Sequence, residues 1–159
     1  MATFSRFAIL DWSGDVLRGA GRVSAGSEAF AVPATFPRVA GEPAGATTPE
    51  ELLAAAHAVC FGIALRSVLA QRGGSARRIR VTATVSAEKG GAGAQAIRLR
   101  SSHLTGVVES LTGVESAALD EIARAAEGAC TISAAIRATV AISVEISSTE
   151  RNPLDTGVA

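Results

Sequence analysis

The chain has 159 residues with fifteen basic and fifteen acidic side chains, so its formal net charge is zero and nothing in it marks a nucleic-acid or anionic-membrane partner. That length is about one domain, 1–159, able to bury a core without disulfide staples or metal. The opening MATFSRFAILDW lacks the long apolar run of a signal peptide, which points to the cytoplasm, where the two cysteines are not expected to form a permanent disulfide. They are either inert core residues or redox-active ones.

Residues 6–12, 16–24 and 29–36 are predicted as three short strands, separated by Ser13-Gly14-Asp15 and Ala25-Gly26-Ser27, both turn chemistry. An antiparallel meander is expected. Residues 37–47, PRVAGEPAGAT, carry two prolines and two glycines and form an irregular loop that holds Arg38.

The next stretch, TTPEELLAAAHAVCFGIAL, organises the chain. Thr48 suits an N-cap, Pro49 the first helical position, and Glu51 the place where a capping-box carboxylate folds back. From Leu52 to Leu69 no continuous polar face is left, which predicts a buried helix ending near Arg72 at Gly73-Gly74. At about 24 residues it would be roughly 36 Å long. Glu50, Glu51, His57 and Arg66 interrupt it too often for a membrane span.

Residues 78–86 and 96–108 alternate with period two and are predicted as strands, joined by a hairpin at 89–93. Residues 116–127 have helical spacing and a stop at Gly128. Cys130 follows, opening TISAAI, which suits one or two further helical turns. A last strand is expected over 139–147, and 148–159 reads as a flexible tail. Strands, a buried helix, then strands, helix and strand without regular alternation make an α+β class with antiparallel sheet.

TTPEELLAAAHAVCFGIAL resembles the signature of the OsmC/Ohr family of organic hydroperoxide reductases, and EGACTIS resembles its second cysteine segment. The opening WSGDVLRGAGRVS is also similar, so the resemblance runs from about Ala8 to Ser147, and HAVCF is closer to the OsmC branch. It implies antiparallel sheets packed on a long central helix, an intertwined homodimer with shared active sites, and a cysteine peroxidase needing no cofactor, metal or flavin. It also implies that Cys60 is peroxidatic and Cys130 resolving, that Arg38 and Glu51 complete the site, and that a dithiol, lipoyl-type in some members, is the reductant. Two departures stand out. The loop between Arg38 and Cys60 is longer than is typical, and Thr131 stands where a proline commonly follows the second cysteine.

The attacking species is a thiolate, so Cys60 must have its pKa lowered against the effect of apolar neighbours. Mid-helix the dipole is weak, which makes a cation the expected source: Arg38, with Arg18 or Arg22 as fallback, held by Glu51 in a bidentate pair. Glu51 and Cys60 are nine residues apart on one helix, about 13.5 Å of rise and half a turn, so Arg38 and Glu51 are expected from the partner chain. His57 shares the face of Cys60, where a base or a ligand would stand. Without a second nearby histidine or a Cys-x-x-Cys it is read as a core residue rather than a zinc ligand, and His103 likewise. The competing expectation is a redox sensor, or a protein binding a lipid-like ligand, without useful turnover.

Overall fold

The computed structural model describes residues 3–15, 18–36, 45–89 and 97–150. By its contacts the chain divides into two units, Met1–Leu52 and Leu53–Ala159. Helix α1, Pro49–Gln71, begins in the first and continues through the second.

The first unit is the expected meander: β1 (Ala8–Ser13), β2 (Ala20–Ala25) and β3 (Ala31–Ala34) pair antiparallel in that order. Gly14 takes φ 87° in the first turn, where the amides of Arg18 and Gly19 donate to the side chain and carbonyl of Asp15. Pro33 is tolerated because β3 is an edge strand. Thr47 donates to Pro33 O and accepts from Thr35 N–H, which leads the chain back beside β3 and into α1. The start of α1 is as predicted: Thr48 Oγ1 accepts from the Glu51 amide at 3.3 Å, and Pro49 is the first helical residue. Leu10, Trp12, Val23, Phe36, Pro49 and Leu52 line an apolar cavity of about 530 Å³ within this unit.

In the second unit α1 ends where expected. Gly73 adopts φ 78°, and the amides of Gly73 and Gly74 return to Ala70 O and Leu69 O. Strands β4 (Arg78–Lys89) and β5 (Ile97–Glu109) pair antiparallel, with a register shift at Ser86/Ala87; most of the hairpin between them lies outside the described residues. A 3₁₀ turn at Ser116–Ala118 leads into α2 (Leu119–Ala129), α3 (Thr131–Ile136) and β6 (Ala141–Thr149).

Three boundaries or pairings differ from expectation. Strand β6 pairs parallel to β5, because the chain crosses over through α2 and α3 before re-entering the sheet. Gly128 lies inside α2, which stops only at Cys130, whose extended backbone breaks the helix. Ser148 and Thr149, read as tail, belong to β6; residues 151–159 lie outside the described residues.

The core is built by Phe61, Leu65 and Leu69 of α1, Leu104 and Val108 of β5, and Leu119, Ile122 and Ala126 of α2. Each large apolar side chain buried here contributes roughly 1.5–3 kcal/mol. Helix α1 is long and apolar enough to cross a membrane by length and composition, yet one side of it packs into this core. In the single chain its other side is not buried: Val59 is 62% exposed and Ile63 67%.

Candidate active site

Cys60 sits midway along α1, half-buried, and Cys130 is buried at the junction where α2 ends and α3 begins. Both thiols are free, and the fold brings them close enough for each to shift the other's pKa across 70 residues of sequence. The junction is what makes this possible. Cys130 is the N-cap of α3, its Sγ accepting from the Ser133 amide at 3.5 Å, so the first turn of α3 opens beside α1. Cys60 Sγ lies 3.3 Å from Thr131 Oγ1.

These contacts split the two thiols electrostatically. Burial pushes the Cys60 thiol up, but hydrogen bonds from the Thr131 hydroxyl, the Ile132 amide, the Cys130 thiol and the Thr131 amide outweigh it, and its pKa falls below the ordinary thiol value. Burial pushes the Cys130 thiol up and prevails over its bonds from Ser133, leaving it protonated longer. The two thiols are thus shifted in opposite directions, Cys60 down and Cys130 up. The donors to Cys60, above all Thr131, escaped the sequence reading, which looked only for a cation. Contacts across 71 residues leave no local pattern to find.

Arg38 lies outside the described residues. Glu51 is exposed, with its amide engaged by Thr48. Its neighbour Glu50, not singled out from sequence, has a carboxylate oxygen buried without a hydrogen-bond partner among the described residues. The fallback Arg22 donates to Ala31 O at 2.7 Å, within the meander. His57 is fully buried, its Nδ1 2.8 Å from Ser102 Oγ and its Nε2 2.9 Å from Ser133 Oγ. His103 is on the other face of β5, against Ser143 at 2.7 Å. Among the described residues no group of three or more His, Cys, Asp or Glu could hold a metal ion.

The long helix and the helical junction of this α+β chain thus hold two free cysteines in unlike surroundings. The model for OsmC-like protein matches residues 41–145, and the chain belongs to that family. It is 33% identical over 139 residues to peroxiredoxin OsmC of Escherichia coli (strain K12), an alignment covering 86% of this chain and 93% of the relative. Among solved structures it resembles the organic hydroperoxide resistance protein OsmC of Legionella pneumophila, with TM-score 0.71, 26% identity, and coverage of 92% of this chain and 99% of that one. The organic hydroperoxide resistance protein OhrB of Bacillus subtilis shares the fold, with TM-score 0.70 and 22% identity over 92% and 100% of the two chains.

Proposed function

We propose that the protein is a thiol peroxidase that reduces organic hydroperoxides to alcohols. The observation that carries this reading is the pairing of a Cys60 thiol of lowered pKa with a protonated, buried Cys130 beside it. The Cys60 thiolate attacks one peroxide oxygen; an S–O bond forms, the O–O bond breaks, and the alkoxide leaves as an alcohol with a proton. Cys60 becomes a sulfenic acid. Cys130 then displaces its hydroxyl as water, forming the disulfide, and an external dithiol, of the lipoyl type, returns both thiols. The peroxide supplies the oxidant and the dithiol the electrons, so no cofactor is needed.

The two units act as one domain in a cytoplasmic homodimer. In this reading Arg38 polarises the peroxide and a carboxylate at the start of α1 holds it. Glu51 fills that role by resemblance, while the unpartnered buried oxygen of Glu50 supports Glu50 as the carboxylate a guanidinium would satisfy. Helix geometry keeps either one well over two turns from Cys60 in its own chain, so the arginine and the carboxylate come from the partner. Val59, Phe61 and Ile63 flank Cys60 in sequence, and apolar surroundings favour a bulky substrate by roughly 25 cal/mol for each Å² buried.

The apolar cavity of the first unit favours a second reading, a redox-sensing or lipid-like-ligand-binding protein without turnover. Peroxide consumption with excess dihydrolipoamide separates the two. Many turnovers of cumene hydroperoxide per chain, with catalytic efficiency above that for hydrogen peroxide, are expected. Consumption that stops at one equivalent would contradict the peroxidase reading.

A further inference from the structure

The sulfenic acid of Cys60 is resolved by a thiol in an awkward state. Cys130 is 1% exposed and must give up a proton to attack, yet bulk water does not reach it. Three further polar side chains are buried with it, and all three belong to one chain of hydrogen bonds. Ser133, in the first turn of α3, donates its amide to Cys130 Sγ at 3.5 Å, and its hydroxyl acts on the same sulfur, favouring the thiolate against the larger effect of burial. The same hydroxyl is 2.9 Å from His57 Nε2 on α1, and His57 Nδ1 is 2.8 Å from Ser102 Oγ on β5. His57, Ser102 and Ser133 each have 0% exposure.

A buried neutral imidazole has one donor and one acceptor nitrogen to satisfy, but that alone calls for no path to a reactive atom. Here the ring is clamped at both nitrogens, and one clamp ends on a reacting sulfur. We propose that Ser133 and His57 relay the thiol proton away from Cys130 as it attacks the Cys60 sulfenic acid, with Ser102 holding the imidazole in the tautomer the relay needs. The inference rests on the peroxidase reading above and adds to it the base for the second chemical step.

The step balances without outside electrons. The Cys130–Cys60 S–S bond forms as the S–O bond of the sulfenic acid breaks, so the Cys60 sulfur is reduced and the Cys130 sulfur oxidised. The thiol proton moves to Ser133 Oγ while the Ser133 proton moves to His57 Nε2, whose lone pair is free when Nδ1–H donates to Ser102 Oγ. The departing hydroxide takes the proton back from the imidazolium and leaves as water. Burial lowers the pKa of His57, with Glu127 of α2, itself paired with Arg137, acting weakly in the other direction. Burial thus favours the neutral ring, the form that can accept a proton. Ser133 touches the reacting sulfur, whereas His57 acts through it and Ser102 positions the ring.

The test separates the two steps by rapid quench. Wild type, His57→Gln and Ser133→Ala are mixed with one equivalent of cumene hydroperoxide and quenched over time into dimedone, with sulfenic acid and disulfide counted by mass spectrometry across pH 5–9. Gln keeps donor and acceptor groups for Ser102 and Ser133 but takes no proton; Ser133→Ala removes one hydroxyl and leaves His57 in place. In both variants the rate from sulfenic acid to disulfide is expected to fall about 100-fold at neutral pH. It should climb steadily with pH, whereas the wild-type rate reaches a plateau. Disulfide formation at the wild-type rate, or slowed with an unchanged pH profile, in whichever variants fold overturns the relay and leaves the peroxidase reading intact. A wild type that forms no sulfenic acid overturns both.

Discussion

Thr131 and Ile132, which follow Cys130 in the chain, aim hydroxyl and amide donors at Cys60 Sγ and lower its pKa. A hydrogen bond to a charged group stabilises it by about 1.5–3 kcal/mol, enough to offset the burial of a half-exposed thiol. Thr131 supplies two donors, its hydroxyl and its amide. Thr131→Val is expected to raise the Cys60 pKa: the folded-state value is depressed by bonds to the thiolate, so removing one moves it back up and lowers the thiolate fraction at pH 7. The rate of iodoacetamide alkylation of Cys60 against pH should shift its midpoint upward. An unmoved midpoint would show that the hydroxyl contributes nothing. Cys60 and Cys130 were singled out in sequence through the local segments that resemble the family, HAVCF and EGACTIS. Thr131, Ser133 and Ser102 were not, since their partners lie 45 to 76 residues away and only the folded junction joins them.

Helix α1 shows where local signals suffice and where they stop. Thr48, Pro49 and the Gly73-Gly74 end were readable because caps are short-range chemistry. Alternation located β4, β5 and β6, but it says nothing of strand direction, so the parallel pairing of β6 followed only from the crossover through α2 and α3. The all-round apolar character of α1 was read as burial, and in the single chain it resolves into two sides. Leu65 is fully buried, and Leu65→Ala should cost about 2–5 kcal/mol of stability in urea titration. Ile63 is 67% exposed, so Ile63→Glu should leave that core intact but disrupt the proposed dimer. Sedimentation should show it as a monomer at concentrations where wild type is dimeric; a mixture indistinguishable from wild type would remove this side of α1 from the interface.

For the assembled protein the proposal is that each site takes Cys60 and Cys130 from one chain and Arg38 with its carboxylate from the other. Cys60→Ser and Arg38→Ala homodimers should each be nearly inactive. Mixed dimers, confirmed by native mass spectrometry, should recover about half of the wild-type activity, because both lesions fall in one site and the other is whole. No recovery would mean that the arginine acts in its own chain or is not Arg38. More direct than any of these is the fate of the first sulfur. Cys130→Ser protein given one equivalent of cumene hydroperoxide in the presence of dimedone should carry the adduct on Cys60 in near-stoichiometric yield, since nothing is left to resolve the sulfenic acid; peroxide treatment that leaves Cys60 unmodified, as a free thiol by mass spectrometry, would contradict a peroxidatic Cys60.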